Sequence, residues 1–247
     1  MLRRYWSKFI VFDWKLGVFL ILLFGIIRFV IVLNANITGD FKYVSFIFVI
    51  MALIPFILLN KNGLRSIGIT WATNPKWLLF SFLAGIFCCL LMYWIGLLLF
   101  QETGSNWFIS IGNTYPLDFN SITEKDRLIY FVVFSSIGMT FSPIAEELMY
   151  RGMIHESLVN KFGERQASLI DSGAFGITHL AHFGLIYVLG QWKLMVLPAL
   201  LWMLLIFSSG LIFNLAKRKS GSIVGAIISH AGFNIAMTYV IFYRLFN

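Results

Sequence analysis

The chain has 247 residues, of which 59% are hydrophobic and 12% charged, and a mean hydropathy of +0.84; it is too apolar for an ordinary soluble domain. A formal charge of +8 would point to nucleic acid or an acidic partner only if the basic residues formed a patch. They are spread through short loops, so they read as topology signals and no nucleic-acid partner is expected.

Segments 16–33, 43–59, 77–100, 128–145, 169–189, 195–215 and 223–245 each approach the roughly 20 apolar residues that cross a hydrocarbon core of about 30 Å. The expected fold is therefore all-α: a polytopic helical membrane protein of about seven transmembrane helices, six to eight at the limits. No repeat or linker divides it, so 1–247 reads as one integral membrane domain in a cell membrane, crossed several times. The start resembles a signal peptide, but its apolar stretch continues to about Leu33 and lacks a small-residue cleavage site, so it reads as a retained first span. Within that span Arg28 reads as paired or snorkelling. In the third span, Cys88 and Cys89 are adjacent, cannot pair with each other in regular geometry, and read as buried small hydrophobes. No CxxC, HExxH, Walker A or GxGxxG pattern occurs.

Basic residues gather in 1–15, 61–76, 151–165 and 217–219, whereas the alternate loops hold only Lys42, Lys125, Arg127, Lys193 and Arg244. The positive-inside rule then puts the N-terminus in the cytoplasm. Beyond the fourth span comes Glu146-Glu147-x-x-x-Arg151, three ionisable groups within six residues. Charges at membrane depth are rare and default to a functional reading. Glu147 and Arg151, one turn apart, are suited either to support a site or simply to neutralise each other. Glu146 points about 100° away, so Arg151 does not easily serve both carboxylates. The segment 146–166 extends the fourth span or lies as an amphipathic helix at the interface, and its His155 reads as surface.

The fifth span carries Phe175-x-x-x-His179, with His182 on nearly the same face, and the seventh carries His230-x-x-x-Asn234. At about 1.5 Å per residue, His179 is expected roughly 15 Å, and His230 roughly 10–12 Å, inside the cytoplasmic boundary. Three helices would thus deliver Glu, His and His to one cavity open to the cytoplasm. Taken singly, His179 and Asn234 are also suited to plain interhelical hydrogen bonding, and Phe175 to core packing. Gly221, Ser222, Gly225, Ala226 and Ser229 predict close helix packing at the start of the last span.

The three motifs, in this order on late spans, resemble the CPBP (CAAX protease and bacteriocin-processing, or Abi) family of intramembrane endopeptidases. The likeness covers 128–240, a catalytic helix core. Asp171 departs from the small hydroxyl residues more typical at its position. The resemblance implies Glu146 as general base toward a water, His179 holding that water, and His230 with Asn234 stabilising the oxyanion. Glu147, Arg151, Phe175 and His182 would support them. It also leaves the cofactor open between none and a zinc ion on Glu146, His179 and His230, with the metal-free glutamate-activated water favoured. Partners would be the lipid bilayer and a peptide or protein substrate, lipidated or not. The alternatives are a catalytically silent binding or immunity protein of the same fold that sequesters a peptide or regulates a membrane sensor kinase, and a proton-coupled transporter, which lacks the expected internal symmetry.

Overall fold

The structure is a computed structural model describing residues 1–245 except Phe41, Pro116, Asn120 and Leu189. Its helices in chain order are α1 (Trp14–Thr38), α2 (Lys42–Leu58), α3 (Lys61–Ser66), α4 (Lys76–Phe100), α5 (Trp107–Gly112), α6 (Glu124–Glu147), α7 (His155–Thr178), α8 (Val196–Ser220) and α9 (Ile223–Val240). A π-helical segment, Leu148–Ile154, joins α6 to α7 without a loop. Among the described residues five helical stretches are long and apolar enough to cross a membrane, and α2 is a shorter apolar helix.

One of those five runs from Glu124 to Ala181, far longer than one crossing. Gly163 divides it: φ 77°, ψ 164° is backbone that a side chain would strain, and the chain reverses there. The segment 146–166 therefore continues the fourth span inward before the fifth returns. With the two arms and α2 counted separately, the described residues hold seven apolar helical segments. This all-α, polytopic architecture agrees with the expected fold class.

The fifth segment departs from expectation at its end. Helix gives way at Thr178 to a short tight turn, His179–Ala181, and then to a hairpin of β1 (Leu185–Val188) and β2 (Gln191–Leu194). The antiparallel register pairs Leu185 with Leu194 and Tyr187 with Trp192, whose rings lie 5.2 Å apart. Aromatic and β-branched residues in Leu-Ile-Tyr-Val favour a strand as much as an apolar helix, and hydropathy alone does not separate the two. The expected endpoint, Leu189, lies outside the described residues.

Side-chain caps fix several starts: Asp13 accepts from Lys15 N (2.9 Å) and Ser222 from Val224 N (3.2 Å). The packing of α9 on α4 is tight. A Cβ built on Gly85 would lie 1.8 Å from the Ser229 carbonyl oxygen, and one on Gly232 2.3 Å from that of Phe82. Only glycine permits this approach, and it bears out the close packing read from the small residues of the last span.

The two ends of the bundle differ in charge. At one end Asn60 donates to Leu2 O, Asn74 N to Ser220 O and Ile223 N to Gly68 O, while Lys161 sits 3.4 Å over the Trp14 ring. These contacts gather 1–15, 58–77, 161–165 and 217–223 into one basic face. At the other end Asn36 donates to Ala181 O, Arg127 to Phe242 O, and α5 sinks Trp107 and Phe108 fully into the bundle.

Candidate active site

Glu146 and Glu147 close α6, and the wide π turn after them turns Leu148–Ile154 inward, all seven buried. The two glutamates take different partners. Glu147 accepts from Arg151 Nη1 (3.3 Å) and from His230 Nδ1 (2.8 Å). Glu146 forms an ion pair with Arg28 of α1, and its other oxygen lies 3.7 Å from His230 Nε2. Glu146, read from the sequence as unpaired, thus has a cationic partner from a helix more than a hundred residues away. Arg28 is paired rather than snorkelling, and its Nη2 also lies 3.2 Å from His182 Nε2.

Aromatic rings set the imidazoles. His230 stacks on Phe213 (4.9 Å, 13°) and meets the Phe175 ring edge-on (5.9 Å, 86°). His179 Nδ1 donates to Phe175 O at 2.7 Å, which leaves the Nε2 lone pair of the neutral ring free. Trp202 Nε1 donates to His179 O (3.0 Å) and fixes the turn that carries it. Phe175 therefore does more than fill core: it orients His179, His230 and Arg151. Asn234 lines the same cavity, but its amide nitrogen donates to Gly138 O (2.8 Å) and Ser142 Oγ (3.2 Å), tying α9 to α6.

These groups line a cavity of about 200 Å³. Its walls include Phe48, Phe175, Trp202, Ile206, Phe213 and Phe233, and its polar lining includes Arg28, Glu146, His179, His182, His230 and Asn234. All four expected catalytic residues and, of the supporting ones, Phe175 and His182 line it; Glu147 and Arg151 lie behind its wall. His230 is about 10 Å of helix from the start of α9, at ~1.5 Å per residue. His179 lies roughly 24 Å of helix beyond the Gly163 kink, at ~1.5 Å per residue.

A second polar cluster backs the first. The Arg151 guanidinium, fully buried, sits 4.2 Å over Phe175 and 5.4 Å from Phe213, with Nε 3.8 Å from Asp171 Oδ1. Asn214 donates to the same Asp171 oxygen (2.8 Å), and His155 Nδ1 meets the other at 2.7 Å. His155 Nε2 then reaches Glu164 at 3.1 Å. His155 is thus buried, which corrects its reading as surface: the π turn rotates it inward onto Asp171. Gly210 leaves room for Arg151, since a Cβ there would lie 2.4 Å from Nη2. The sequence reading gave roles to neither Asn214 nor Gly210. The polar Asn214 in an apolar helix was the one available signal.

The zinc arrangement admitted by the motifs does not fit this donor set. Among the described residues no three His, Cys, Asp or Glu side chains converge as metal ligands. A guanidinium also occupies one side of Glu146, where like charge opposes a divalent cation.

A bundle of apolar helices enclosing one carboxylate, Glu146, and three imidazoles, His179, His182 and His230, in a largely apolar cavity defines a helical membrane protein with groups able to accept and donate protons. Residues 128–236 match the family model of Rce1-like type II CAAX prenyl endopeptidases. That stretch contains all three motifs, and over it the family resemblance read from them is borne out. Comparison with curated proteins and with solved structures returned no match.

Proposed function

We propose that the protein is an intramembrane endopeptidase of a cell membrane in which Glu146 activates a water held against His179. The observation that carries the reading is the convergence of Glu146, His179 and His230, from three separated parts of the chain, on one largely apolar cavity. The family match supports the reaction class. Glu146 accepts the water's proton and returns it to the leaving amine, with no covalent intermediate needed. His179, its Nδ1 hydrogen committed to a carbonyl, offers Nε2 to hold the water. His230, backed at Nδ1 by Glu147, presents Nε2 as an oxyanion donor when protonated, an arrangement in which the carboxylate stabilises the imidazolium. Asn234 joins as a donor on giving up one of its bonds to α6, and otherwise aligns α9. Attack requires Arg28 to release Glu146, so substrate entry and loss of that ion pair are coupled.

The Arg28–Glu146 pair favours a second reading. A carboxylate held by a guanidinium suits a silent protein of the same fold that binds a peptide without cutting it. Purified protein in lipid, incubated with peptides and followed by mass spectrometry, separates the two. Cleavage that is lost on Glu146→Gln, His179→Ala and His230→Ala supports the enzyme; peptide retention without cleavage supports the binder.

A further inference from the structure

We propose that the cavity receives its peptide from the face opposite the basic one, so that the substrate is an exported peptide, or one held in the outer leaflet, rather than a cytoplasmic chain terminus. The endopeptidase reading supplies only the word substrate; the route rests on packing and charge.

The cavity is closed toward the basic face. Behind Glu146 and His230 lies a continuous layer of Glu147, Arg151, Asp171 and Ser172, each without solvent exposure, wedged by Met149 and Ile154. A separate pocket opens on the basic face, between Arg65, Thr70, Glu164 and Lys217. It stops at His155 and Asn214, on the far side of that layer.

Toward the other face a second pocket adjoins the cavity. His182 lines both the catalytic cavity and an adjoining polar pocket of about 400 Å³. Asn36, Ser110, Asn113 and Thr114 line that outer pocket. Ile111 of α5 and Met237 of α9, partly exposed, border the cavity near this end. Trp202 lies six residues, about 9 Å, from the start of α8 at the same end. The polar walls fit an aqueous entrance, and the Arg28–His182 contact of 3.2 Å stands between the two spaces, so a peptide entering from this side must part it.

The charge pattern supplies the sidedness. The face gathering 1–15, 58–77, 161–165 and 217–223 carries most of the lysines and arginines and is therefore cytoplasmic. The mouth is on the other face. A peptide made in the cytoplasm must first cross the membrane, or its leader must lie in the outer leaflet, before it meets Glu146.

Cysteine labelling in intact cells tests the route. In the full chain with Cys88→Ala and Cys89→Ala, a membrane-impermeant maleimide is applied to Thr70→Cys, Asn113→Cys and Met237→Cys variants. The expected result is labelling of Asn113→Cys and Met237→Cys in intact cells, and of Thr70→Cys only after permeabilisation. Labelling of Met237→Cys solely from the cytoplasmic side or from neither side, or labelling of Thr70→Cys in intact cells, overturns the proposal. Labelling needs no turnover, so the expected pattern in a chain that cleaves no peptide counts against the endopeptidase reading alone.

Discussion

The adjacent glutamates behave as different residues because their neighbours differ. Glu147 is enclosed by Arg151 and His230; Glu146 faces the cavity with Arg28 across from it. The difference in their partners was legible in the sequence, since Arg151 follows Glu147 by one turn. Arg28 was visible as a charge in an apolar span, but no spacing rule links it to a residue more than a hundred positions on. Arg28→Met leaves Glu146 buried without its cation and is expected to destabilise the protein by about 3–5 kcal/mol, with Arg28→Lys recovering most of that. Denaturation of the protein in micelles measures it, and equal stability of wild type and Arg28→Met would show the pair to be inessential. Asp171 holds His155 and Asn214 and braces Arg151. Asp171→Asn is expected to lower kcat more than it raises KM, because it loosens Glu147 and His230 without touching the peptide. Steady-state kinetics would contradict this by showing the loss in KM alone.

The elements most legible in the sequence were the long apolar helices, and the least legible was the segment between α6 and α7. Its alternating charges suggested an interfacial helix, yet the π turn buries Arg151 and His155 against each other's partners. Hydropathy carries no signal for a π turn. The same limit explains the hairpin after His182, where a short apolar run suits strand and helix alike. Packing between α4 and α9 hinges on Gly85. Replacing it with leucine, against a carbonyl that already excludes a Cβ, is expected to cost several kcal/mol or prevent folding, and Gly85→Ala about 1–3 kcal/mol. Thermal unfolding of the purified variants checks the order; an unchanged Gly85→Leu protein would mean that α4 and α9 pack less closely than described.

For the whole molecule, composition and loop charge sufficed to predict a polytopic bundle with one basic face. The motif depths pointed to a cavity open to the cytoplasm; the opposite mouth proposed above rests on how α5, the hairpin and the Arg151 layer close each end, which hydropathy and loop charge do not carry. The three motifs were visible from their one-turn spacing, while the cluster behind them had to be assembled by tertiary contact. The central claim is that Glu146 performs hydrolysis rather than structural pairing. The most direct measurement compares cleavage of a candidate peptide by purified wild type and Glu146→Gln in lipid, after confirming that both fold. The account predicts a fall of on the order of 10³-fold or more in kcat/KM for Glu146→Gln with the fold intact, about 4 kcal/mol of transition-state stabilisation. Cleavage by Glu146→Gln within about tenfold of wild type would contradict it.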